Sequence, residues 1–168
     1  MKNKINIAIV WLGQIGNHLF NEIKIKKKEI ELLTGKKINL AAISAKNKNK
    51  KRKFKINKKI FYKNPLKIID KNKIDILFEC IGLSDGISKK VVEKALKNYI
   101  HVITPNKALI SKHGDYLSNI AERNKVNLEF EASVGGGIPI LRTIKEGLST
   151  NRKTKVYGIL KGTCNYIL

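Results

Sequence analysis

Short apolar runs alternate with helix-period stretches along almost the whole chain, and that alternation restricts the fold more than any other property. Residues 5–10 and 38–43 read as buried strands, and residues 74–78, 101–104 and 126–130 follow in the same style. Between them lie helical patterns. Residues 15–33 place Leu19, Phe20 and Ile23 on one face, and a short helix follows Pro65. A further helix carries Ile87, Val91, Val92, Ala95 and Leu96, and another runs through Tyr116, Leu117, Ile120 and Ala121. Strands separated by helices pair in parallel and need cover on both faces. Right-handed crossovers then give a doubly wound α/β sheet with its ligand crevice at the carboxyl ends of the strands. Residues 46–59 read as a charged loop, expected to be mobile, and as the only low-complexity piece.

At 168 residues the chain suits one domain, or one domain and the start of a second. A formal charge of +22 raises nucleic-acid binding as an alternative. The kind of basic residue argues against it. Only Arg52, Arg123, Arg142 and Arg152 are arginine, the side chain suited to bidentate phosphate and base-edge contacts, and no aromatic residues interleave with the basic run 46–53. The lysines are dispersed among Asn and Ile, as on a tolerant surface, so weak, salt-sensitive attraction is expected and no specific nucleic acid. No run approaches the roughly 20 apolar residues that cross a bilayer. The first ten residues lack a small-residue cleavage site and lead into a glycine turn, so a cytoplasmic chain without membrane attachment is expected. Cys80 and Cys164 stand apart, with no CxxC and no histidine at ligand spacing, which predicts neither a disulfide nor a zinc site.

The first strand runs into Trp11-Leu-Gly-Gln-Ile-Gly16, at the place of the dinucleotide fingerprint GxGxxG but with tryptophan for the first glycine. Gly13 would let the backbone approach a pyrophosphate, Gly16 would let the helix pack close to the sheet, and the helix N-terminus would offer amide donors. A plain strand–turn–helix carries the same two glycines; the position at the head of an α/β pattern favours the fingerprint. Trp11 is costly there if the turn needs left-handed geometry. Past the second strand come Ser44, Ala45, Lys46 and Lys48 with no acidic residue, which favours NADP(H) over NAD(H). Thr104-Pro-Asn-Lys107 follows a strand end, where Lys107 could neutralise charge or share a proton with a reacting carbonyl. His18, His101 and His113 show no partner arrangement and read as structural or surface residues. Finally, Phe130-Glu-Ala-Ser-Val-Gly-Gly-Gly-Ile-Pro-Ile-Leu141 turns from a strand through three glycines into an amphipathic helix over residues 138–148, with Pro139 in its first turn. Such a turn exposes bare backbone to a small ligand or ion.

With these segments and the closing Gly158-Ile-Leu-Lys-Gly-Thr-Cys-Asn-Tyr-Ile-Leu168, the chain resembles the N-terminal part of homoserine dehydrogenase over nearly its whole length. The resemblance implies a Rossmann-type cofactor domain over residues 1–130. Residues 131–168 would be the truncated beginning of an α+β catalytic and dimerisation domain. It implies interconversion of L-homoserine and L-aspartate 4-semialdehyde with NAD(P), on the route to threonine, methionine and isoleucine, by a full-length homodimer. Gly13, Gln14, Ile15 and Gly16 would lie against the cofactor with Lys46, Gly82 and Thr104 near it. Lys107, beside nicotinamide and substrate, would be the catalytic group of this segment. A sodium ion would sit on backbone oxygens of Glu131, Val134, Gly136 and Ile138. Trp11 departs from the family pattern, as do Lys161 and Cys164 where the family has Asn and Thr. The family's substrate carboxylates and principal acid–base lysine lie past the position of Leu168, so no turnover is expected of this chain alone. A remnant that keeps the fold but not the cofactor is the alternative.

Overall fold

Strand β1, Lys4–Val10, sends successive side chains to opposite faces: Ile7 and Ile9 enter one apolar cluster, Ala8 and Val10 the other. The structure, a computed structural model, describes residues 3–47, 52–134, 138–148, 150 and 155. After β1 come helices α1 (Gln14–Ile25) and α2 (Lys27–Thr34), then strands β2 (Lys37–Ser44) and β3 (Phe61–Tyr62). Helix α3 (Leu66–Lys71) leads to β4 (Ile76–Glu79), α4 (Ile87–Lys97), β5 (His101–Ile103), α5 (Lys107–Arg123) and β6 (Leu128–Glu129). The strands form one sheet in the order β3-β2-β1-β4-β5-β6, and every pairing is parallel. This is the expected doubly wound, Rossmann-type sheet. The chain winds outward from β1 in one direction and returns through β4 in the other, so the crevice opens between those two strands.

The two clusters cover the two faces. Residues of α3, α4 and α5 pack on Ala8, Val10, Ala42, Leu77 and Val102. On the opposite face Phe20 and Ile23 of α1 meet Ile7, Ile9 and Ile43.

Several elements differ from the sequence expectations. The helix expected over residues 15–33 is two helices, parted at Lys26, within the run Lys26-Lys27-Lys28 where like charges crowd one turn. Pairs Lys26–Glu22 and Lys27–Glu31 direct the flanking lysines to either side of the break. Helix α2 buries nothing, and its Leu32 and Leu33 are 83% and 78% exposed. The loop expected to be mobile over residues 46–59 is anchored at its far end. Phe54 and Ile56 pack into the α1 cluster, Phe54 edge-on to Phe20 with ring centroids 6.5 Å apart, and a 3-10 turn at Lys58–Ile60 delivers β3. In place of the regular helix expected over residues 138–148 there is a short helix α6, Ile140–Arg142, that widens into a π-helical stretch, Thr143–Gly147, with Pro139 as its N-cap.

Candidate functional site

The turns after β1, β2, β4 and β5 meet at the carboxyl edge of the sheet. Trp11 takes the left-handed conformation at φ 77°, which costs a non-glycine residue about 1–2 kcal/mol. The end of β2 holds it there: Trp11 N–H donates to Ser44 Oγ (3.0 Å) and Leu12 N–H to the Ser44 carbonyl (2.9 Å), while Gly13 N–H donates to the Trp11 carbonyl (2.8 Å). Packing demands glycine at Gly16, where a Cβ would stand 2.3 Å from the Trp11 carbonyl oxygen. It makes no such demand at Gly13, where a Cβ would meet only the Trp11 ring at 3.7 Å. Gly13 is the N-cap of α1, no side chain caps that end, and the first turn holds no acidic residue. Gln14, Ile15 and Gly16 therefore open the helix at its positive end, a setting for an anion. Beyond β2, Ser44 and Ala45 are buried and Lys46 is exposed.

Glu79, the last residue of β4, is completely buried. Its Oε1 accepts from Ile81 N–H (2.7 Å) and the Ser88 hydroxyl (2.8 Å), and its Oε2 from the Thr104 hydroxyl (2.6 Å). Thr104 Oγ1 accepts from Asn106 N–H (3.0 Å). Asn106 Nδ2 donates to the Leu83 carbonyl (2.8 Å) and Ser88 Oγ (3.0 Å), and its Oδ1 caps α5 by accepting from Leu109 N–H (3.2 Å). The loop after β4, the start of α4 and the turn after β5 are thereby laced into one piece. Gly82 lies in that loop at φ 89°, open where a side chain would project, and Lys107 begins α5 with an exposed side chain. Sequence patterns do not single out Glu79, Ser88 or Asn106; the available signal is a carboxylate closing an otherwise apolar strand. Burial first, and then the Glu79 charge, push the adjacent Cys80 thiol up to about 12, so it is no nucleophile at neutral pH.

The same loop is pinned to α5 from outside. Asp85 accepts from Lys112 Nζ (2.7 Å) and Ser84 Oγ (2.7 Å) and pairs with His113 Nε2 (2.8 Å). His113 thus has a partner that the sequence did not reveal, and His101 Nδ1 accepts from Asn127 N–H. Hydrogen bonds from Lys112, His113 and Ser84 hold the Asp85 carboxyl well below the usual carboxylate range. A depressed carboxylate contributes to stability above the ordinary Asp range and loses that contribution as pH falls through its own lowered value. The pin is therefore intact at neutral and mildly acid pH and releases only in strong acid. Asp85→Asn removes it at every pH, and the expected result is faster amide hydrogen exchange across residues 82–86 at neutral pH. Exchange as slow as in the parent chain would show that the pin does not restrain the loop.

After β6, a 3-10 turn at Glu131–Ser133 presents the Glu131 carboxylate to the Leu141 and Arg142 amides (3.0 and 2.9 Å). Of the backbone oxygens expected to hold sodium, that of Glu131 accepts from Val134 N–H (3.0 Å) and that of Ile138 from Ile140 N–H (2.8 Å). Each keeps a second lone pair, so both are compatible with a hard cation. Gly136 lies outside the described residues, as do Gly135, Gly137, Lys161 and Cys164. Among the described residues no group of three or more His, Cys, Asp or Glu side chains is placed to hold a metal.

Residues 12–131 match the family profile described as homoserine dehydrogenase, NAD binding domain, and residues 139–168 the one described as homoserine dehydrogenase. Homoserine dehydrogenases of Neisseria gonorrhoeae and Bacillus subtilis are 34% and 35% identical to the chain over 98% of its length. The chain spans only 37% and 38% of those relatives. Among solved structures, the Thiobacillus denitrificans homoserine dehydrogenase aligns with a TM-score of 0.74 at 29% identity, over 89% of this chain and 34% of that one. The S. aureus enzyme aligns at 0.71 with 32% identity, over 79% and 34%.

Proposed function

The chain belongs to the homoserine dehydrogenase family, and from that premise we propose that it forms the cofactor half of an enzyme interconverting L-homoserine and L-aspartate 4-semialdehyde. The family match is to an NAD-binding domain, so a nicotinamide dinucleotide is its cofactor. When bound, that dinucleotide supplies or takes the hydride. Gly13 to Gly16 hold its pyrophosphate at the N-terminus of α1, and Lys46 meets a ribose 2′-phosphate, which favours NADP(H). Gly82 would line the nicotinamide half, with the buried Thr104 supporting the turn beneath it, and Lys107 would steady the charge of the reacting carbonyl there and hold a proton for it. Residues 1–130 make up this domain, and residue 131 begins the catalytic one. A sodium ion on carbonyls of Glu131, Val134, Gly136 and Ile138 would stiffen the junction, and the whole protein would act as a cytoplasmic homodimer. No helix among the described residues is long and apolar enough to cross a membrane.

The observation that carries this reading is the turn at Trp11. It keeps the left-handed backbone of the fingerprint although its side chain disfavours it, and it leaves Gly13 bare where the protein's own packing does not need glycine. The Trp11 ring lies 3.7 Å from where a Gly13 Cβ would stand, beside the turn that would take the pyrophosphate. On this reading the ring crowds the dinucleotide and moves aside when it binds. Fluorescence titration should therefore show weak, saturable NADPH binding, tightened on the order of tenfold, or about 1.4 kcal/mol, in Trp11→Gly. A chain that binds NADPH in neither form is a remnant of the fold, and the proposal fails.

A further inference from the structure

We propose that the buried Glu79 carboxylate is the positioning residue of the nicotinamide half: it sets the turn that carries Lys107 and biases the site toward the cationic, oxidised ring. The inference rests on the cofactor reading above. Three donors converge on this carboxylate from three segments: Ile81 N–H from the loop after β4, Ser88 from α4, and Thr104 from the end of β5. The hydrogen bonds around it suit a carboxylate. The Thr104 hydroxyl already accepts from Asn106 N–H, and Ser88 Oγ from Asn106 Nδ2, so each gives its single proton to Glu79. A carboxylate, which accepts and has no proton to place, is satisfied by all three. Asn106, held by both hydroxyls, caps the helix that Lys107 opens.

Among the described residues, no Lys, Arg or His nitrogen forms an ion pair with Glu79. Burial with three donors and no counter-charge leaves a negative charge, little screened by water, at the carboxyl edge of β4. On the proposed reading the phosphate turn lies after β1 and the Lys46 position after β2, so the nicotinamide would fall on the β4–β5 side of the crevice, the side on which the buried Glu79 ends β4. Of the two redox forms of that ring, only the oxidised one is positively charged. An anion on that side lowers its free energy relative to the neutral reduced ring.

Dissociation constants for NADP+ (calorimetry) and NADPH (fluorescence) on the 168-residue chain test this. Glu79→Gln should weaken NADP+ about fivefold more than NADPH. Thr104→Val, which keeps the charge but frees the turn, should weaken both forms alike. A structural role alone would move both constants together in Glu79→Gln, and that result, or no change, overturns the inference. Should Glu79→Gln not fold, the double variant Glu79→Gln with Thr104→Val is compared with Thr104→Val, a background without the hydroxyl that the introduced amide would strand. The same selective loss of NADP+ is required there, and its absence, or a double variant that also fails to fold where Thr104→Val folds, overturns the electrostatic role. Failure of both the parent chain and Trp11→Gly to bind either redox form instead overturns the cofactor reading itself, and where only Trp11→Gly binds, the same comparisons are made on that background.

Discussion

Gly16→Val should cost this domain about 3 kcal/mol or more, because the added branch has no room. Even a single Cβ there stands 2.3 Å from the Trp11 carbonyl oxygen, 3.2 Å from its carbon and 3.4 Å from Cys80 Cβ. The obstacle is backbone on one side and the neighbouring strand end on the other, so no side-chain rotation relieves it. Helix α1 has to lift from the sheet or Trp11 has to leave its turn. Either movement also breaks the Gly13 N–H to Trp11 carbonyl contact and misdirects the helix amides. At roughly 2–4 °C per kcal/mol for a chain of this size, the melting temperature should fall by about 10 °C. NADPH binding should vanish with it. Gly13→Ala is the informative contrast, since a Cβ there meets only the Trp11 ring at 3.7 Å and φ is an ordinary −73°. It should melt close to the parent chain and bind NADPH less well. A Gly16→Val chain melting like the parent would contradict the packing on which the whole site is built.

Phe20→Ala should be the most damaging change in the cluster beneath α1, at about 3–5 kcal/mol. Phe20 is 1% exposed and is the largest of the fully buried side chains. It packs with Ile7, Ile9, Ile23 and Ile43, and Phe54 meets it edge-on with ring planes at 79°. Truncation empties the centre of that face and removes the surface on which the basic loop is anchored. Urea denaturation should show the loss, and trypsin should cut faster between residues 46 and 59. Phe54→Ala should accelerate cutting with a smaller loss of global stability, because Phe54 is only half-buried. Equal tryptic rates in all three chains would mean that the aromatic pair does not anchor the loop.

The sheet was legible in the sequence because its signals are local and redundant. Residues 7–10 are apolar without a break, the mark of a strand covered on both faces, and the apolar positions Ile87, Val91, Val92, Ala95 and Leu96 give a helix face. The left-handed turn was legible as a position but not as a geometry, since tryptophan conceals what glycine would have announced. Other parts were hidden for physical reasons. Strand β3 has two residues and exists because Phe54, Ile56 and Ile60 deliver it to the edge of β2; no periodicity can show in so short a run. Leu32 and Leu33 continue the apolar pattern of α1, yet α2 departs from the sheet at Lys26 and leaves them in solvent. The Glu79 carboxylate joins residues 9 and 25 positions away along the chain, Ser88 and Thr104, and only the closed sheet brings them together.

Ser44 ends the strand whose exit would meet the ribose on the proposed reading, but its hydroxyl and carbonyl both face the turn after β1. Two positions later, Lys46 is exposed. The boundary between fixed frame and exchangeable part therefore falls within three residues. If Lys46 meets the ribose as proposed, the choice of dinucleotide can be retuned there without touching the frame, whereas a change at Ser44 alters the turn after β1 together with the strand end. On that reading cofactor choice and cofactor grip are separately adjustable, because the fixed frame ends at Ser44.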